Sequence, residues 1–332
     1  MTRIAANALH AWSTQAFTSL GLPLEDATHI ARCLVDVDLR GVRSHGTRQL
    51  QRYVAEFRDG LVNVSPDISI LRETDNSIRL DGDGGSGYLA ATRATDVACD
   101  KAGQVGLALA TTCNHGHVGS AGIYARRVLD HGYISWCVAG GHGWLLPTTA
   151  EATVWDAMKA PPMCFAVPAD ASDAGSGADS PPLVLDMNAN QFGTAAQAEA
   201  AIAAGFGKSV FGSLGLRFIS TLLGGMLGGA TDGQNLSQQR YTGANRGFLM
   251  VVIDPAMVGD AADFRAEVRR IIDSSLTLRP LAGTDSATLP GTMEWRRQSE
   301  WGKSGIPIAD DHRDLLDNIA MENGLDLPAW SQ

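Results

Sequence analysis

Apolar positions in the first sixty residues recur at helical spacing. Leu9, Trp12, Phe17 and Leu20 predict a helix over residues 3–20, halted by Gly21 and Pro23. Ala27, Ile30, Ala31 and Leu34 mark one face of a second helix, with Gly41 as its C′ residue. Leu50, Tyr53, Val54 and Phe57 fall at i, i+3, i+4 and i+7 and predict a third, closed by Gly60. The turn before it, "RGVRSHGTRQLQRY" (40–53), sets His45 near that helix's N-terminus, where amide donors and the dipole favour negative charge.

From about residue 77 strands alternate with helices. "SIRLD" leads into the helical "YLAATRATDVACDKAG", followed by the strand "VGLALAT". "SAGIYARRVLDHG" reads as a helix and "YISWCVAG" as a strand, and "MCFAVP", "PLVLDM" and "FLMVVIDP" are later strand candidates. This alternation predicts an α/β layer domain. "ADASDAGSGADSPP" (169–182) reads as a surface loop, and the tail from Asp310 to Gly324 as helix. The most apolar stretch, "LGLRFISTLLGGMLGGA" from Leu214, carries Arg217 and several glycines. It is short for a membrane span and is expected to be a buried helix.

Composition narrows the function. At 332 residues the chain has room for one large domain or two, and 45% hydrophobic with 19% charged residues is a globular balance. A net charge of -10 repels phosphate backbones and argues against nucleic acid as a partner. An anionic substrate would therefore need local positive groups. The five scattered cysteines form no CxxC pair, which fits a reducing compartment, and the N-terminus reads as an amphipathic helix rather than a signal peptide. A cytoplasmic protein without a membrane partner is expected.

"GDGGSG" (82–87) matches G-x-G-x-x-G, yet the next strand ends in Thr111, Thr112 and Cys113 instead of the acidic residue that a ribose requires. It is read as a plain glycine-rich turn. Three histidine-bearing turns remain: Ser44–His45–Gly46, "CNHGHVGSAG" (113–122) and "GGHGW" (140–144). Glycines beside a histidine keep its ring accessible. His115, His117 and His142 could converge on a metal, but neither an HExxH pattern nor a carboxylate at ligand spacing accompanies them, so no metal is expected. Arg43 and Arg48 bracket His45 closely enough for one of them to clamp a carboxylate; Arg40 and Arg52 are read as solvated helix positions. Ser44 lacks a nucleophile elbow and is better placed to orient His45 or to bond substrate.

These segments resemble the malate/L-lactate dehydrogenase family that is unrelated to the Rossmann dehydrogenases. The resemblance runs through "LGLPLEDATHIARCLVDVDLRGVRSHGTRQLQRYV", through the stretch from "LDGDGGSGY" to "VLDHG", and through "LVLDM", "LGLRFISTLLGGMLGGA" and "LPGTMEWRRQSEWGKSGIPI". It implies a non-Rossmann α/β fold: a helical N-terminal segment (1–75) packed with the C-terminal helices (300–332), and a central mixed-sheet domain (76–299). It also implies a homodimer that transfers hydride between NAD or NADP and C2 of a small 2-oxo acid, 2-hydroxy acid or cyclic imino acid. His45 would exchange the proton at substrate, oriented by Ser44, with His115 lining the nicotinamide pocket; in some members the histidine of the second turn is the acid–base group. Asn114, His115, Gly116, His117, Gly119, Asn188 and Asn190 would contact the cofactor, and Arg43, Arg48 and Gln49 the substrate.

The chain also departs from the family pattern. The arginine expected five residues after the serine is Gln49, with Arg48 one step earlier. GTNP appears as "KAPP" (159–162), ATS as "NAN" (188–190), the basic RGK stretch as "GTAAQ", and the lysine of KGxGL as Gly212. These changes leave an alternative open: a member repurposed for a redox-neutral, histidine-dependent reaction with a degenerate dinucleotide site. A catalytically silent scaffold is a third reading, against which the retained histidine turns argue.

Overall fold

In the computed structural model the described residues are 2–142, 147–157, 159–170, 181–230 and 240–330. The chain opens with a short strand β1 (Thr2–Ile4) and helices α1 (Ala6–Thr18), α2 (Leu24–Leu39) and α3 (Leu50–Arg58). α2 starts after Pro23 with Glu25 and Asp26 in its first turn, where the helix dipole favours them. It ends at Arg40, and Gly41 follows at φ +77°, the left-handed conformation of a C′ glycine. The apolar faces read from the sequence are buried together. Leu9, Trp12, Phe17, Ile30, Leu34, Leu50, Tyr53, Val54 and Phe57 share a core with Ile306, Ile308, Leu316 and Ile319 from the far end of the chain. That end consists of α9 (Thr292–Ser304), β9 (Ile306–Ile308) and α10 (Asp310–Glu322), and β9 pairs antiparallel with β1.

Between these ends lies a seven-stranded mixed sheet in the order β2-β3-β4-β8-β5-β6-β7. Its strands are β2 (Ser69–Thr74), β3 (Ser77–Asp81), β4 (Leu107–His115), β5 (Ile134–His142), β6 (Pro162–Val167), β7 (Leu183–Asn188) and β8 (Arg246–Ile253). Only β3 and β4 run parallel. A doubly wound dinucleotide fold is built on parallel neighbours, so this topology is not Rossmann. Helices α4 (Gly87–Val105) and α5 (Ala121–Leu129) cover one face through Ala91, Ala94, Ala98, Tyr124 and Val128. The other face meets Leu216 and Leu223 of α7 (Gly207–Thr221) and the π-helical turn 222–226 that continues it. Among the described residues the remaining α-helices are α6 (Ala195–Ala203) and α8 (Ala261–Leu276).

Two expectations need correction. The apolar stretch from Leu214 is helical but not buried all round. Its inward side mixes Leu216 and Leu223 with Arg217, Ser220, Thr221, Gly224 and Gly225, while Ile219, Leu222 and Leu227 are exposed. Arg40 is not a solvated helix position either. It is 8% exposed and donates from Nε to Gln298 of α9 at 3.3 Å, because the C-terminal helix packs over the end of α2. Of the loop expected at 169–182, residues 171–180 lie outside the described residues.

Candidate active site

The site begins in the turn between α2 and α3. A buried carboxylate, Asp38, shapes that turn by accepting the Thr47 N–H at 2.9 Å and the Thr47 hydroxyl at 2.6 Å. His312 of α10 lies 3.1 Å behind the same hydroxyl. The hydroxyl proton is committed to Asp38, so His312 must donate from Nε2. Gly46 has no alternative here, since a Cβ would collide with the Asp38 carboxylate. The turn is pinned again by Gln49, whose amide donates to the Ser44 carbonyl at 2.6 Å. Ser44 Oγ lies 2.8 Å from His45 Nδ1, which is the orienting contact the sequence called for. Burial pulls the His45 imidazole below its ordinary value, and the charge of Asp186 on β7 pulls the other way.

The second histidine turn divides its two rings. His115 ends β4 and is 0% exposed; its Nε2 meets Thr112 Oγ1 at 2.6 Å and its Nδ1 meets the Gly116 carbonyl at 2.9 Å. Burial lowers it to about 4, so it is neutral with both nitrogens bound to protein. An accessible imidazole was expected at 115, and the structure instead gives that place to His117. The His117 ring stacks on His45 with centroids 5.9 Å apart. Its Nδ1 faces the Tyr53 hydroxyl at 2.6 Å and the Gly119 N–H at 3.3 Å. A nitrogen facing two donors is an acceptor, so the proton of neutral His117 sits on Nε2. Tyr53 is backed by Tyr88, hydroxyl to hydroxyl at 3.1 Å. On the sequence Tyr53 reads as a core position of α3, and it is one: only its hydroxyl reaches the site.

The other expected residues spread out. Asn114, at φ +56°, donates its side-chain amide to Asp81 at 2.7 Å and braces the turn from inside. Gly119, at φ +69°, packs against Tyr88; Gly116 donates its N–H to the Gly85 carbonyl. Arg43 is exposed, and Arg48 is paired with Asp311 at 2.6 Å. His142 pairs in register with Arg246 at the end of β5; its side chain lies outside the described residues. Asp186, which the sequence did not single out, accepts from Ser120 Oγ and the Gly122 N–H, at the start of α5.

One end of the sheet collects the rest. β4 ends in His115, β5 in His142 and β7 in Asn188, while β6 starts there at Pro162 and β8 at Arg246. Asn188 is exposed, and Asn190 accepts from Arg217 Nη1 at 3.5 Å. The Arg217 guanidinium lies 4.3 Å over the Trp155 ring, whose buried indole N–H has no hydrogen-bond partner among the described residues. Beyond this end of the sheet, a side-chain amide from the β7 end thus meets a guanidinium from α7 stacked on an indole.

The sequence pattern of malate/L-lactate dehydrogenases matches residues 4–210 and 193–317. The chain belongs to that family. Among its relatives, the malate dehydrogenase of Pyrococcus horikoshii is 26% identical over 358 residues, spanning 98% of this chain and 96% of that protein. The L-sulfolactate dehydrogenase of Methanocaldococcus jannaschii is 26% identical over 92% of this chain and 93% of its own length. A solved structure of the Pyrococcus malate dehydrogenase superposes with a TM-score of 0.80 at 25% identity, covering 98% of this chain and 96% of that one. Membership in the malate/L-lactate dehydrogenase family makes the chain an oxidoreductase of the dehydrogenase class.

Proposed function

We propose that the protein transfers hydride between NAD or NADP and C2 of a small 2-hydroxy or 2-oxo acid, with His45 as the proton-exchanging group. The observation that carries this reading is the stacking of two imidazoles, one oriented by Ser44 and the other by Tyr53. Ser44 orients His45 through Nδ1, and with the proton on Nδ1 the ring would offer Nε2 as a base; the stacked His117 accepts from Tyr53 at Nδ1 and carries its proton on Nε2. In the oxidative direction His45 takes the hydroxyl proton, and Asp186 favours the imidazolium that forms. His117 donates to the same oxygen and polarises the carbonyl as it develops. Asn188, Asn190 and Arg217 would hold the cofactor, whose nicotinamide supplies or receives the hydride. The named relatives are dehydrogenases, which favours this reading over the redox-neutral one.

The exposed apolar side chains Phe206, Phe211, Ile219 and Leu222 along α7 support a homodimer contact on that face. Light scattering at micromolar concentration checks it.

The function is tested by titrating the purified protein with NADH and NADPH, followed by nicotinamide fluorescence. A panel of 2-hydroxy acids is then screened for reduction of the oxidised cofactor. Saturable binding and turnover with at least one acid are expected. His45→Ala then lowers kcat by about a hundredfold or more. Absence of binding by either cofactor overturns the reading.

A further inference from the structure

Position 49 lacks the arginine that the family pattern places there, and of the four arginines around it only Arg43, exposed on the turn, has no side-chain partner among the described residues. Arg48 is held by Asp311, Arg52 by Glu56 at 2.7 Å, and Arg40 is buried against Gln298. Gln49 itself is spent on the Ser44 carbonyl.

A different arginine stands at the same sheet end. Arg246 opens β8, registered against His115 on one side and His142 on the other, between the second and third histidine turns. Its Nε is buried without a hydrogen-bond partner, and no carboxylate pairs with it among the described residues. Burial lowers it only to about 10, so it stays cationic at neutral pH. Its charge is felt by Tyr53, the residue that fixes the His117 tautomer, and the acid nearest in effect, Glu56, is already bonded to Arg52. On one side Nη1 faces bare backbone: a Cβ on Gly140, which sits at φ +77°, would lie 3.5 Å from it. A half-buried cation that no anion among the described residues neutralises is costly, and a ligand carboxylate would offset that cost.

We propose that Arg246 is the anion grip of this active site, binding the substrate carboxylate in place of the arginine absent at position 49. The assignment rests on the hydride-transfer reading above. A planar guanidinium offers two parallel N–H donors to a carboxylate, whereas lysine offers a point charge. Acids are therefore accepted, and the corresponding amides are poor ligands.

Oxalate, a small mimic of a 2-oxo acid, is the probe, titrated calorimetrically with and without saturating NADH. Wild type is expected to bind it. Arg246→Gln weakens binding by about 30-fold and Arg246→Lys by about 5-fold, as loss of a charged hydrogen-bonding partner predicts. Circular dichroism and Tm confirm the fold, and the lysine variant reports if the glutamine variant does not fold. Oxalate binding to Arg246→Gln at wild-type affinity overturns the assignment. So does a large loss in Arg48→Gln with none in the Arg246 variants, or a wild type that binds no oxalate in either state. A wild type that ignores NADH but binds oxalate through Arg246 removes only the hydride-transfer reading.

Discussion

The proton position on His117 follows from its neighbours, Tyr53 and the Gly119 N–H, and His45 is oriented by Ser44. His117 Nδ1 accepts from Tyr53 at 2.6 Å and from the Gly119 N–H at 3.3 Å, so removing the phenol leaves only the longer contact to hold the tautomer whose Nε2–H would polarise substrate. Tyr53→Phe is expected to lower kcat by about tenfold, the value of one hydrogen bond to a reacting group, with little change in Tm because the ring remains in the core. Steady-state kinetics beside a thermal melt checks both halves; a large Tm loss with unchanged kcat would leave Tyr53 a packing residue only. Sequence singled out this turn and both its histidines, and the structure buries His115 while leaving His117 partly exposed beside His45. His115 and His117 both have glycine neighbours, and what separates them is that β4 runs on to residue 115 before the chain turns out. Strand length there is hidden because β4 is buried almost throughout beyond Leu107, so no polar alternation marks its end.

Elements meet most tightly where the π-helical turn 222–226 crosses β5 and β8. A Cβ on Gly141 would collide with the backbone of Gly224 and Gly225, and one on Gly247 would crowd the Gly224 and Thr112 carbonyls less severely. Backbone cannot yield as a side-chain tip can, so Gly141→Ala is expected to destabilise by about 3 kcal/mol or to abolish folding. Gly212→Ala, on the same glycine-rich stretch with open space around it, is expected to be neutral. Urea midpoints for the two variants test the contrast, and equal midpoints would contradict it. The sequence revealed most of these elements: the helices with a clean 3.6 period and the apolar strands fall where their patterns place them. β2 went unread because every residue of this edge strand is exposed, which leaves no buried face to alternate. Arg40 was misread for the opposite reason, since its cover comes from α9, more than 250 positions away in the chain. The lost carboxylate arginine was legible at position 49, but its candidate replacement opens a strand whose neighbours only the sheet order reveals.

Across the whole molecule the ends of the chain close one core, and the charge states buried along that closure set its pH dependence. His312 on α10 and His115 at the sheet end are both lowered by burial from 6.5 to about 4. The unfolded chain therefore binds protons that the folded one refuses between those values. Their stabilisation is full above pH 6.5 and is lost as pH falls toward 4, at about 3 kcal/mol for each histidine. Asp38 acts in the other direction. Burial raises it from 3.8 to about 6, so the folded state takes up a proton first and gains stability over much of the same interval, again about 3 kcal/mol. One histidine contribution is thus cancelled, and a net loss of about 3 kcal/mol is expected between pH 7.5 and 4.5. Urea unfolding at the two pH values measures it. Asp38→Asn keeps an acceptor for Thr47 while removing the opposing titration, so its loss over the same interval should be nearly twice as large. A wild-type midpoint that holds or rises at pH 4.5 would mean that His312, behind the turn that carries His45, and His115, at the sheet end, are not both buried neutral.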